Sequence, residues 1–148
     1  MIQFLQFNVN PHHKKTGDCA TRAVCQACNI PYAEAAKELF DEWMRTGYDL
    51  TEPRIFARVL PRHGFTKFGK PKKPDGTTYK VGDLIKEFGK DSILVIQVAN
   101  HWTVSKGDTL IDLWNCLNKS VYGYYAKKVE SEDELRILDS GKPVRILL

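Results

Sequence analysis

Hydrophobic and polar positions change their spacing once along the chain, near residue 90. In the first part, apolar residues recur at intervals of three and four, which predicts amphipathic helices. The predicted helices span about Asp18–Cys28, Tyr32–Trp43, Glu52–Leu60 and Val81–Phe88. We expect the second helix to bury one face made of Ala33, Ala36, Leu39, Phe40 and Trp43.

From Ser92 onward the pattern is that of strands. The predicted strands are Ser92–Val98, His101–Lys106, Thr109–Trp114, Tyr122–Val129 and an edge strand at Val144–Leu148, and Met1–Phe7 is a further short strand. The near-continuous apolar run of Ser92–Val98 indicates that both of its faces are covered. Two segments are predicted as loops: Phe65–Tyr79, which is rich in Lys, Pro and Gly, and Glu130–Asp139, which is acidic and contains a helical turn.

This order of elements predicts an α+β fold in which N-terminal helices pack on a C-terminal antiparallel β-sheet. The chain has 148 residues, of which 43% are hydrophobic, enough to form a core. We expect a single domain over residues 1–148, with a helical half at about 16–90 and a sheet half at about 92–148.

Net charge and cysteine content limit the classes of protein to which the chain could belong. The net charge is +4, which falls short of the strong basic asymmetry of a dedicated nucleic-acid binder. No apolar run approaches the roughly 20 residues that span a bilayer, and we expect no secretory signal in Met1–Phe7. Four cysteines without an export signal predict free thiols in a reducing compartment, the cytoplasm.

Cys19 lies in the first turn of the first predicted helix. Gly17 allows a sharp turn into the helix, and Thr16 or Asp18 can cap it. The positive end of the helix and the neighbouring lysines favour a thiolate at Cys19. Cys19 is therefore a candidate nucleophile, although a buried, inert cysteine is the usual reading of such a position.

A histidine and an aspartate fall on one face of a later hairpin. Gly107-Asp108 fits a two-residue type II′ turn, in which Lys106 pairs with Thr109. In that register Thr103 pairs with Asp112 and His101 with Trp114, so Asp112 is the diagonal neighbour of His101. A three-residue loop would instead turn Asn115 towards His101.

These residue types support nucleophilic chemistry. An imidazole takes the proton of a thiol and holds the thiolate as an ion pair, and a third polar group fixes the imidazole. A charged aspartate within the apolar segment Leu110–Trp114 requires a partner, because an unpaired buried charge is costly. His101 is the partner that we expect for Asp112.

The segments Gly17-Asp18-Cys19, Asn100-His101 and Asp112-Leu113-Trp114 resemble the papain-like cysteine peptidase superfamily. They are most similar to small papain-fold proteins of bacteria and their prophages, which have a GDC..RA helix start and a late NH.T…D.W hairpin. The resemblance covers about Asn8–Tyr125. It implies Cys19 as nucleophile, His101 as general base and acid, and Asp112 as the orienting group.

The chain departs from this family at the oxyanion hole, where papain-like enzymes use a glutamine shortly before the nucleophile. The sequence has no glutamine between Phe7 and Cys19. Asn8, Asn10 and His13 are the alternative donors in this sequence. Losing one oxyanion donor lowers the rate about 100- to 1,000-fold.

Two other kinds of site are less well supported. Cys25 and Cys28 form a C-x-x-C pair, but no second pair completes a zinc site, and the helix directs both away from Cys19. Binding of single-stranded nucleic acid would depend on lysines and aromatic rings. The candidates are the Lys67–Lys73 loop, His12–Lys15 and the late tyrosines Tyr122, Tyr124 and Tyr125.

The sequence predicts a thiol hydrolase, a cysteine peptidase or isopeptidase, that acts on a peptide or protein through an acyl-thioester on Cys19. We expect no cofactor, no metal and no membrane association. The alternative is a catalytically silent module of the same fold that binds a protein or nucleic acid.

Overall fold

The helices pack against a six-stranded sheet with the strand order β1-β5-β4-β3-β6-β2. The structure is a computed structural model, and it describes residues 2–15, 17–139 and 142–144. The elements are β1 (Gln3–Gln6), α1 (Cys19–Cys28), α2 (Tyr32–Thr46), α3 (Pro53–Val59), β2 (Thr66–Phe68), α4 (Val81–Phe88), β3 (Ser92–Val98), β4 (His101–Lys106), β5 (Thr109–Asp112), β6 (Gly123–Lys128), β7 (Ile137–Asp139) and β8 (Lys142–Val144). Short 3₁₀ turns follow α3 and α4 and precede β7.

The α+β class is confirmed, but the main sheet is mixed rather than antiparallel. The N-terminal strand β1 pairs in parallel with β5, whereas the other pairings are antiparallel. Phe4 and Leu5 explain why the alternation is imperfect in β1, because they pack against opposite sides of the sheet.

Each face of the sheet supports its own hydrophobic core. Ile93 and Val95 face the core that contains α1, α2 and α3. Leu94 and Ile96 face the core that contains α4. The prediction that both faces of Ser92–Val98 are covered is therefore confirmed, and the bounds of α4, β3 and β4 are those predicted.

Helix α1 begins at Cys19 and is buried along most of its length. Asp18 occupies the N-cap position but makes no side-chain cap hydrogen bond, so the prediction that Asp18 caps the helix is wrong. Its carboxylate instead pairs with Arg22 and accepts hydrogen bonds from Asn10 and Tyr32. Thr16, the other predicted cap, lies outside the described residues.

The predicted buried face of α2 is largely wrong. Leu39 is buried, as expected, but the residues that share its face are Ala35 and Glu42. Phe40 and Trp43 are 46% and 42% exposed. The Glu42 carboxylate, in contact with Arg45 and Arg62, is buried because its charge is paired, and this rotates the two aromatic rings outward.

Two further predictions about local structure need correction. The Phe65–Tyr79 segment is not entirely a loop, because β2 pairs with β6 and Phe68 stacks on Tyr124 at 5.0 Å. The predicted edge strand Val144–Leu148 lies mostly outside the described residues, and only Val144 falls in β8, which pairs with β7 in a separate sheet. Among the described residues, no helix is long and apolar enough to cross a membrane.

Candidate active site

The β4–β5 hairpin has the predicted register. Lys106 pairs with Thr109, and Val104 pairs with Ile111. Gly107 has a φ of 57° and Asp108 has a negative φ, which is the combination of a type II′ turn. The ladder ends at the Val104–Ile111 pair and strand β5 ends at Asp112 instead of Trp114, so neither of the two predicted pairs nearest the site is formed.

His101 and Asp112 meet at the open end of this hairpin. Nε2 of His101 lies 2.6 Å from Oδ2 of Asp112, and both side chains are largely buried. The other carboxylate oxygen accepts the Leu113 backbone N–H at 2.7 Å and lies 3.9 Å from the Arg22 guanidinium. The Asp112 charge is therefore partnered on both oxygens, and the register favours Asp112 over Asn115.

Cys19 completes the group from the start of α1. Its thiol hydrogen-bonds with the His101 imidazole, and the backbone N–H of Trp102 donates to the sulfur. Because Nε2 of His101 is bound to Asp112, Nδ1 is the ring nitrogen that is left for Cys19. The three residues proposed from the sequence thus form one connected chain of hydrogen bonds.

The electrostatics of this chain favour a thiolate–imidazolium pair. Burial alone raises the pKa of Cys19, but hydrogen bonds from His101 and Trp102 and the charges of His101 and Arg22 bring it below its usual value. Burial alone lowers the pKa of His101, but the bonds to Asp112 and Cys19 raise it to about 9. Both shifts favour transfer of the thiol proton to the imidazole.

The three predicted oxyanion donors lie in the loop before α1. The Asn8 amide donates to the Lys14 carbonyl at 2.9 Å. The Asn10 amide donates to Asp18 at 3.0 Å, and its own oxygen accepts the His12 backbone N–H. His13 is exposed and has a left-handed φ of 53°. Asn8 and Asn10 brace the loop in this structure, and a donor role for any of the three stays a prediction.

Cys116 extends the group, since its thiol donates to Oδ2 of Asp112 at 3.7 Å. Among the described residues, Cys116, His101 and Asp112 form the one cluster of potential metal ligands. A tetrahedral zinc site keeps nitrogen and oxygen ligands about 3.3 Å apart, and the His101–Asp112 contact of 2.6 Å is shorter. Burial also raises the pKa of Cys116 to about 12, so its thiol is neutral when no metal ion is bound.

The C-x-x-C pair lies within α1, away from the site. Burial raises the pKa of both Cys25 and Cys28 to about 12, so both remain neutral thiols. Cys25 is fully buried, and Cys28 packs against the same core. These positions agree with the interpretation of both residues as core packing.

A cavity of about 350 Å³ adjoins the thiol. Besides Cys19 and His101, its walls include Thr51, Gln97, Asn100 and Trp102. The sequence analysis did not single out Gln97 or Thr51. The sequence feature that could have pointed to Gln97 is its polar side chain near the end of the largely apolar strand β3.

Comparison with known proteins adds no relative, since no family model, curated protein or solved structure matches the chain. The geometry of the site and the chemistry of its residues therefore carry the functional argument. That argument depends on the hydrogen-bonded group of Cys19, His101 and Asp112.

Proposed function

We propose that the protein is a thiol hydrolase of papain-like type that cleaves a peptide or isopeptide bond. The observation that supports this proposal is the chain of hydrogen bonds from Cys19 through His101 to Asp112. Few structural roles require a partly buried thiol and imidazole and a buried carboxylate in this order, with the thiol pKa lowered and the imidazole pKa raised.

The reaction proceeds in two steps. The Cys19 thiolate attacks the substrate carbonyl carbon, so that a C–S bond forms and the carbonyl π electrons move to oxygen. The tetrahedral intermediate collapses, the C–N bond breaks, and the His101 imidazolium gives its proton to the leaving amine. His101 then takes a proton from water, which attacks the thioester and releases the acid and the thiolate.

Labelling with iodoacetamide tests the ion pair. We expect Cys19 to react faster than Cys25, Cys28 and Cys116, and to remain reactive at mildly acidic pH, because its pKa is lowered. Substitution His101→Ala removes the hydrogen bond and the positive charge, so labelling at acidic pH should fall at least about 10-fold. Peptide mapping by mass spectrometry measures the rate at each cysteine.

His12→Ala is the matched control, because this histidine is exposed and lies outside the hydrogen-bonded group. We expect its labelling profile to equal that of the wild type. Slow and equal labelling of all four cysteines, or a His101→Ala profile equal to that of the wild type, would contradict the proposal.

A second candidate function, binding of single-stranded nucleic acid, is favoured by lysines that lie over aromatic rings, of which Tyr122 and Trp114 are exposed and Tyr79 is partly buried. The pairs are Lys70–Tyr122 at 5.5 Å, Lys73–Tyr79 at 5.8 Å and Lys119–Trp114 at 5.9 Å. A hydrogen bond from the Val121 N–H to the Tyr79 carbonyl joins the first two. Aromatic stacking with lysine contacts is typical of such surfaces.

Salt-dependent binding of a labelled oligonucleotide measures this second function. A variant with Tyr122→Ala and Lys70→Gln should bind more weakly, whereas Cys19→Ser should bind like the wild type. Equal affinities for all three proteins would contradict a role for this surface.

A further inference from the structure

The cavity beside Cys19 is lined mainly by polar groups. It is formed by the end of β3, the turn into β4 and Thr51, which precedes α3. The Thr51 carbonyl accepts the indole N–H of Trp102 at 3.0 Å, which ties this wall to the strand that carries His101. At about 350 Å³ the cavity is at the small end of ligand sites, a size that suits one side chain and its adjoining backbone.

Gln97 is a carboxamide side chain of this cavity that is available to bind a ligand. In the sheet it lies opposite Trp102 on one side and Gly123 on the other. Its Oε1 lies beside Gly123, where a Cβ would be 3.8 Å away at ordinary contact distance. Across the described part of the chain, no residue hydrogen-bonds the Gln97 amide, which therefore has both a donor and an acceptor available.

The cavity has no fixed charge apart from the catalytic pair. Its remaining walls are Thr51, Gln97, Val98, Asn100 and Trp102, which are all neutral. Next to Thr51 in the sequence, Glu52 lies 3.4 Å from Arg54, and neither residue belongs to the walls. A charged group that entered the cavity would find no counter-charge at Gln97.

We propose that this cavity is a specificity pocket for an uncharged polar side chain on the acyl side of the scissile bond. A carboxamide, the side chain of asparagine or glutamine, fits best, because it can donate to Oε1 of Gln97 and accept from Nε2. This inference rests on the proposed function, since it assigns the substrate of the same site.

The free energy of removing water from Gln97 decides which side chain fits the cavity best. An apolar side chain would expel water from Gln97 and leave its amide unpaired, which should weaken binding roughly 5- to 150-fold. A charged side chain would lose hydration without gaining a partner, which costs more. A carboxamide replaces the lost water with two hydrogen bonds.

Hydrolysis of a matched peptide series tests the pocket. Fluorogenic peptide amides carry Gln, Asn, Leu, Lys or Glu at either of the last two acyl-side positions, and kcat/KM is measured for each. At one of these positions we expect the Gln and Asn peptides to exceed the others by about 10-fold or more. Gln97→Leu should shift the preference to Leu, and Gln97→Glu should shift it to Lys.

Gln3→Ala is the control, because this glutamine is on β1 and does not line the cavity. It should retain the wild-type ranking. A ranking that does not change in Gln97→Leu, or a wild-type preference for Leu, Lys or Glu at both positions, would overturn the pocket assignment.

Binding of the same peptides to a Cys19→Ala variant separates the pocket from the chemistry. Calorimetry should show tighter binding of the Gln peptide than of the Leu peptide, and loss of that difference when Gln97→Leu is added. This result supports the pocket even if the wild type hydrolyses nothing, an outcome that would count against the proposed function alone. Equal binding of all peptides overturns the inference.

Discussion

At the scale of single residues, Asp112 contributes to the charge of the His101 imidazole. It accepts hydrogen bonds from His101, from the Leu113 backbone and from Cys116, and it lies near Arg22. Asp112 is also one of the causes that raise the pKa of His101 to about 9. It thus helps to keep the imidazole protonated at neutral pH, when the thiolate requires a counter-charge.

Substitution Asp112→Asn should separate orientation from charge. The amide oxygen can still accept the proton on Nε2 of His101, but the negative charge is lost, so the pKa of His101 should fall below about 9. The weaker ion pair should slow Cys19 alkylation at mildly acidic pH about 10-fold. NMR titration of the His101 ring protons measures the first effect, and iodoacetamide labelling measures the second.

Asp75→Asn serves as the control, because Asp75 is exposed and bonds with Thr77 in a surface loop. Its His101 titration should match that of the wild type. A His101 pKa that is the same in Asp112→Asn and the wild type would show that Asp112 does not set the charge of the imidazole.

The three central residues could be predicted because each has a local signal. Cys19 begins a helix, His101 begins a strand, and Asp112 is a charge within an apolar run. Arg22 has no such signal, and Gln97 is marked only as a polar residue in an apolar strand, since the roles of both come from contacts between elements that are distant in the sequence. The hydrogen bond from the Trp102 backbone to Cys19 is invisible to side-chain patterns for the same reason.

At the scale of elements, the β4–β5 turn fixes which side chains face Cys19. Gly107 has a φ of 57°, and a Cβ there would lie 3.2 Å from the Lys90 carbonyl oxygen. A one-residue slip of this hairpin would move Asp112 to the other face of the sheet. The backbone conformation of the turn therefore favours glycine, and a side chain at position 107 would also crowd the Lys90 carbonyl oxygen.

Alanine substitutions should separate the cost of the backbone conformation from the cost of the close contact. Gly69→Ala, in open space, should leave the free energy of unfolding nearly unchanged. Gly47→Ala introduces a side chain at a φ of 79° in open space, and should cost about 1 kcal/mol. Gly107→Ala combines a positive φ with the close carbonyl, and should cost about 1 kcal/mol more than Gly47→Ala.

Urea denaturation of the three variants measures these costs. Equal costs for Gly47→Ala and Gly107→Ala would mean that the Lys90 backbone yields to the new methyl group. In that case space is not what restricts the turn to glycine.

The hairpin and α2 show what local pattern can and cannot predict. The hairpin register follows from two turn residues and strict alternation, both of which are local. The rotation of α2 depends on the pairing of Glu42 with Arg45 and Arg62, the latter from beyond the end of α3. Periodicity does not reveal that partner, so Phe40 and Trp43 were placed in the core by mistake.

At the scale of the whole molecule, one sheet supports both cores. Successive residues of β3 alternate between them, with Val95 on one side and Leu94 on the other. The five buried residues of β3 keep their burial only while both cores stay packed against the strand. We therefore expect the described part of the chain to unfold as a single cooperative unit.

Two buried cysteines report on the two cores separately. Cys25 lies in the core beneath α1, and Cys116 lies in the core beside α4, and both are 0% exposed. In a Cys19→Ser background, both thiols should become reactive over the same range of urea concentration, and helical circular dichroism should be lost over that range. Pulsed alkylation followed by peptide mapping measures each midpoint. If Cys116 reacted at a clearly lower urea concentration than Cys25, the α4 side would unfold first, and the sheet would not couple the cores as its alternating residues predict.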